Sequence, residues 1–346
     1  MKSYDFLTQK SAFSFLCLTV CLFGFSTGHA KPKHAHFFQP IKAAEKPTGV
    51  AADRVHLGQM LFHETRISKN HDISCNSCHT VTNYGVDGKP TSSGHKGQLG
   101  GRNSPTVMNA FGHLAQFWDG RAKDVEEQAK GPVLNPIEMA MPSAEKVVET
   151  LKSMPEYVSA FKKAFPKAKD PVTYDHFAQA VGAFERQLTT PSRFDQYLEG
   201  QENALTQAEL AGYDLFVNTG CTTCHSGALL GGHMYQKVGL VKPWPNQKDQ
   251  GRFEVTKKDF DKMMFKVPSL RNIVHTAPYF HDGQTKDLGV AVKMMAEYQL
   301  GRQLTDAQVK SIVTFLGTLS GQPQAEYLKI PTLPKSTEKT PTPDPS

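Results

Sequence analysis

Apolar residues recur at spacings of three and four over 143–152, 155–165 and 173–188, which predicts three amphipathic helices. Thr305-x-x-Gln308 opens a further helix with Val309, Ile312, Val313, Leu316 and Leu319 on one side. Leu288, Val292 and Met295 share a face of another, which ends before Gly301. Thr206-x-x-Glu209 is a capping box for one more, and Gly220 can close it. No alternating pattern runs long enough for a sizeable sheet, so the expected fold class is all-α. The segment 84–101 is expected to be a loop, with six glycines within 85–101. Residues 331–346 are rich in Pro and Thr and are expected to form a disordered tail.

The pattern repeats. G-x-x-L-F occurs at Gly58 to Phe62 and again at Gly212 to Phe216. Pro105-Thr106-Val107-Met108-Asn109 is echoed by Pro268-Ser269-Leu270-Arg271-Asn272, and Phe117-Trp118-Asp119-Gly120 by Phe280-His281-Asp282-Gly283. Two related domains are therefore expected, at 51–200 and 201–330, with 31–50 as an N-terminal extension. A length of 346 residues suits two domains.

At 39% hydrophobic residues, neither a polytopic membrane protein nor a wholly disordered chain fits. The net charge of +6 is spread along the chain without a basic block, so no nucleic-acid partner is expected. Residues 1–30 read as a secretory signal peptide: Lys2 and Lys10 precede an apolar run over 11–25, and small residues flank a cut after Ala30. Cys17 and Cys21 leave with it. The mature chain keeps Cys75, Cys78, Cys221 and Cys224, carries no membrane span, and is expected in the periplasm.

Each cysteine pair reads C-x-x-C-H: Cys75, Cys78 and His79, then Cys221, Cys224 and His225. Two thiols at this spacing form thioethers to the vinyl groups of a haem, and the adjacent His lies under the iron. The pairs are too far apart in sequence for a zinc ribbon, and no βαβ context supports a thioredoxin motif. Two structural disulfides would not require a His after each pair. Two covalently bound haem c groups are expected.

The sixth ligand of each iron decides between electron carriage and chemistry. In the second half, Met295 on its helical face is a candidate thioether ligand, with Met294 an immediate competitor. In the first half, His95 lies in the glycine-rich loop, where it is either a solvated His or a ligand that can leave. Glu138 is either surface-turned or a group that moves a proton between peroxide oxygens. Trp118 is either core or part of an electron path.

The chain resembles the bacterial dihaem cytochrome c peroxidases over roughly 50–330. The resemblance rests on Gly94-His95-Lys96, Gly101-Arg102-Asn103-Ser104-Pro105-Thr106-Val107, Ala115-Gln116-Phe117-Trp118-Asp119-Gly120-Arg121, Glu138-Met139, Gly251-Arg252-Phe253, Leu270-Arg271-Asn272-Ile273 and Thr276-Ala277-Pro278-Tyr279-Phe280-His281. It implies a low-potential peroxidatic haem on His79 and a high-potential, electron-accepting haem on His225. It also implies His95 as releasable ligand, Glu138 as acid/base, Trp118 between the haems and Met295 as thioether ligand. Asn103, with the carbonyls of Thr276 and Pro278, would hold calcium, a hard cation suited to oxygen ligands. The implied reaction is reduction of hydrogen peroxide with electrons from a small cytochrome c or a cupredoxin, by a homodimer. Two alternatives are a dihaem oxidase that modifies a partner protein and a non-enzymatic dihaem electron carrier. The oxidase branch carries Tyr where this chain has Met295; Tyr298 lies one turn further on.

Overall fold

The computed structural model describes Met1 and residues 32–346, which leaves the expected signal peptide outside the described residues. Eleven helical segments occur among them: α1 Gly49–Phe62, α2 Cys75–Cys78, α3 Val125–Leu134, α4 Ala144–Lys152, α5 Pro155–Ala164, α6 Tyr174–Glu185, α7 Arg193–Leu198, α8 Gln207–Thr219, α9 Phe253–Thr256, α10 Leu288–Met294 and α11 Asp306–Gly317. The all-α expectation needs one correction. Tyr235–Lys237 (β1) and Met264–Lys266 (β2) pair antiparallel, with Gln236 opposite Phe265. Three-residue strands are too short to leave an alternating signature. No described helix is long and apolar enough to cross a membrane.

The duplication is repeated in the packing. In the first half α1 lies on α6, and Gly58 is where they meet: a Cβ there would strike the Ala180 carbonyl and Phe184. In the second half α8 lies on α11, and Gly212 meets the Ser311 carbonyl and Phe315 in the same way. Leu57, Leu61, Phe177, Val181 and Phe184 form one apolar cluster. Tyr213, Phe216, Ile312, Phe315 and Leu316 form a second, which also takes Phe194 and Tyr197 of α7. Capping boxes start α8 at Thr206 and α11 at Thr305.

The halves meet around a buried polar knot. Asn109 and Asn272, equivalent in the repeat, are both left-handed, with φ of 59° and 60°. Their backbone N–H groups donate to the carbonyls of Leu188 and Leu319, at 3.0 and 3.1 Å. Both side-chain amides donate to Thr190 Oγ1, at 2.7 and 3.0 Å. Nearby, Arg271 sends both terminal nitrogens to Asp195, at 2.8 and 2.7 Å, with the Arg271 side chain fully buried.

The segments flanking the repeats cross over. Phe38, in the N-terminal extension, is buried in the second cluster, and the Phe37 carbonyl accepts from Gly227 N–H at 2.8 Å. The 331–346 segment, expected to be disordered, instead runs along the first half. Tyr327 is buried in the first cluster with Leu333 packed against it. Arg66 donates to the Pro334 carbonyl at 2.8 Å, and Thr337 to the Ser153 carbonyl at 2.9 Å. Proline lowers the entropy cost of ordering such a strap, and neighbouring donors satisfy its carbonyls.

Replacing Thr190 with Val removes the shared acceptor and leaves two buried amides short of a partner. The expected cost is about 2–4 kcal/mol of stability, measured as a lowered denaturant midpoint.

Candidate functional site

One cavity lies at each C-x-x-C-H motif. The first, of about 530 Å³, is lined by Cys75, Cys78, His79, Trp118, Glu138 and Glu185 among others. Ser74 starts α2 with a reciprocal cap on Ser77, which orders the turn that presents both thiols. Burial pushes the Cys75 thiol up to about 12 and holds His79 below its ordinary value. The cysteines are therefore neutral thiols and His79 a neutral imidazole, the form that ligates a metal.

Glu138 is half-buried, and burial raises its carboxyl, opposed by Arg121 and Asn135. Asn135 Nδ2 donates to Glu138 Oε1 at 2.8 Å and so fixes its direction. His95 is held next to it by backbone alone: its N–H donates to the Glu138 carbonyl at 2.8 Å. The His95 side chain is buried but does not line the cavity. Its Nε2 donates to the Ser346 carbonyl at 3.2 Å, and Lys69 Nζ donates to the same oxygen at 2.8 Å. The first cavity thus gathers Cys75, Cys78, His79, Trp118 and Glu138, while His95 stands outside it.

The second cavity, of about 230 Å³, is lined by Cys221, Cys224, His225 and Met295, and also by Asn103, Thr276 and Pro278. His225 Nδ1 donates to the Leu230 carbonyl at 3.0 Å, and burial pushes the ring down to about 4, so Nε2 keeps its lone pair. The two adjacent methionines diverge. Met295 lines the cavity at the start of a π-helical turn, Met295–Gln299, whereas Met294 Sδ accepts from Thr285 Oγ1 at 3.5 Å. Tyr298 packs on Trp244, with ring centroids 5.5 Å apart. Trp244, buried against Tyr298 and Phe280, thus anchors the loop around 239–250.

Trp118 lines both cavities. Its Nε1 donates to the Asn103 carbonyl at 2.9 Å, which fixes the indole in the shared wall. Asn103 Nδ2 donates to the Lys89 and Pro90 carbonyls, which turns its Oδ1 away from them. Asn103 of the first half and Thr276 and Pro278 of the second line the second cavity together.

Some site residues were not singled out from sequence. Arg102 spans the halves, bonding Asp119 at 2.5 Å and Asp249 at 2.6 and 2.7 Å beside the first cavity. Glu185 lines that cavity at 4% exposure, and burial with Glu126 nearby pushes its carboxyl up to about 8. The available signal was a charge one turn after Val181 on the buried face of α6.

Residues 52–203 match the family model for di-haem cytochrome c peroxidase, and residues 210–320 that for cytochrome c. A cytochrome c551 peroxidase of Pseudomonas aeruginosa is 50% identical over 301 residues, covering 85% of this chain and 86% of that protein. One from Nitrosomonas europaea is 50% identical over 311 residues, covering 89% and 90%. Among solved structures, a MauG-like protein associated with microbial copper homeostasis is similar with a TM-score of 0.71 at 26% identity, over 85% of this chain and 96% of that one.

The Glu185 carboxyl is raised above its unfolded value. The native state therefore holds a proton that the unfolded chain has released, and stability falls as pH rises from the ordinary carboxylate range towards 8. Glu185→Gln removes this titration. Its unfolding free energy should change less with pH over that window, by up to about 5 kcal/mol.

Proposed function

The chain belongs to the di-haem cytochrome c peroxidase family, and on that premise we propose that it reduces hydrogen peroxide in the periplasm with electrons from a small cytochrome c or cupredoxin. It is a peroxidase, and the family implies two haem c groups. Hydrogen peroxide takes up two electrons and two protons and leaves as two waters. The observation that carries this reading is the grouping of Glu138 with Cys75, Cys78 and His79 around one cavity, with Trp118 shared by both cavities.

Cys75, Cys78 and His79 would hold the first haem, with thioethers from the two cysteines; Cys221, Cys224, His225 and Met295 would hold the second. When bound, these groups supply the redox chemistry: one accepts electrons from the donor and the other delivers them to peroxide. Glu138 takes the proton from the peroxide oxygen nearer His79 and returns it to the far oxygen, so that water leaves. Its raised carboxyl makes it a better base near neutral pH, and Asn135 keeps it aimed. Glu185 is a second proton store in the same cavity. Trp118 bridges the two centres. His95 is the releasable ligand: Gly94 and Gly97 flank it and Lys96 is left-handed at φ 57°, so the loop that carries it can rearrange at low steric cost.

Calcium bound by Asn103 and the carbonyls of Thr276 and Pro278 would tie the halves together at the shared wall. Residues 1–30 direct export and are removed, 51–200 and 201–330 are the two haem domains, and the mature protein works as a homodimer. Against the oxidase alternative, Tyr298 is committed to Trp244 and Met295 holds the cavity position. Against a bare electron carrier stands Glu138 beside an accessible cavity.

Glu138→Gln keeps shape and loses the titrating proton. Turnover of peroxide with reduced cytochrome c should fall by about 10²–10⁴ while both haem spectra remain; near-normal turnover would remove Glu138 from the mechanism.

A further inference from the structure

Lys266 ends β2 with only 5% of its surface exposed. Its N–H donates to the Trp118 carbonyl at 2.8 Å, and its Nζ lies 2.8 Å from His113 Nδ1. An ammonium can only donate, so Nδ1 is the acceptor and the ring proton sits on Nε2. That Nε2–H is buried and has no acceptor in the protein. Among the described residues Lys266 makes no ion pair, since the nearby Asp119 is taken by Arg102 and Arg121. Both side chains line the second cavity, whose other walls are mainly apolar. A buried cation and a buried N–H donor thus stand together without an anion, an arrangement that costs free energy unless an acceptor meets it.

We propose that Lys266 and His113 form the carboxylate site of the second cavity, which holds a propionate of the haem carried by Cys221 and Cys224. This rests on the haem reading given above. A haem is an apolar body with two carboxylates, and this cavity offers apolar walls with one cationic corner. Burial, opposed by Asp119, pushes Lys266 down to about 7, and a carboxylate beside it would keep it charged. His113 belongs to the first half and Lys266 to the second, so the second haem would be held from both sides of the interface. A fixed positive charge there favours the reduced haem and raises its potential.

The test uses the calcium-replete holoprotein with two haems. Lys266→Met should lower the midpoint potential of the second haem and leave the first unchanged, read by spectro-electrochemical titration. Lys266→Arg should restore it. His113→Phe should shift the propionate bending band of the second haem in resonance Raman spectra, which remains informative if the Lys266→Met protein folds poorly. An unmoved potential together with an unmoved Raman band, or equal shifts at both haems, would overturn the assignment. A chain carrying fewer than two haems by pyridine haemochrome would overturn the haem reading itself, and this inference with it.

Discussion

Thr190 sets the relation between the two halves. Its hydroxyl oxygen accepts from Asn109 and from Asn272, and its own N–H donates to Asn109 Oδ1 at 3.0 Å. Asn272 Oδ1 in turn accepts from Gly321 N–H at 2.8 Å. All three residues are buried, at 0–2% exposure, so no water can substitute for a lost partner. Each Asn also ends the Pro-x-x-x-Asn segment that walls its cavity. One hydroxyl therefore ties the two walls together. The Asn103 to Thr106 segment and Trp118 line both cavities.

The flanking segments reinforce the same joint from outside. The extension around Phe38 packs on the second half, and the segment from Tyr327 onward packs on the first. The Ile41 N–H donates to Asp195 at 2.8 Å, so the extension also seals the buried Arg271–Asp195 pair. A buried pair of this kind is favourable only when its remaining lone pairs are satisfied. Lys69, Arg66 and Ser153 hold the other strap, and its far end reaches His95. The ordering of that strap and the position of the His95 imidazole are thus linked.

Much of this was legible along the chain. Helices appeared where periodicity and capping boxes put them, because Thr206, Thr305 and the apolar stripes act locally. The repeat was legible because Gly58 and Gly212 answer the same steric demand, as do Asn109 and Asn272. Spacing alone could not separate Met294 from Met295; a π-helical turn and a hydrogen bond from Thr285 do so in three dimensions. Glu185, Lys266 and His113 gave little signal, since their meaning depends on which cavity they meet. The strap over 331–346 was misread because its composition resembles disordered chain, while its order comes from distant donors at Arg66, Lys69 and Ser153.

The same two-helix scaffold serves two cavities, and the difference between them is electrostatic. The first is walled by Glu138 and Glu185, both raised by burial and so inclined to hold protons. The second has a buried lysine, Lys266, pushed down to about 7, and a buried His225, pushed down to about 4. On the proposed reading, protons are consumed where peroxide is reduced, so the acids stand in the first cavity, and a positive charge at Lys266 would stabilise an electron at the second. Asp119, which lines the first cavity, is paired with Arg102 and Arg121. Duplication accounts for the shared helices, and these few titratable groups are what differ between the two cavities.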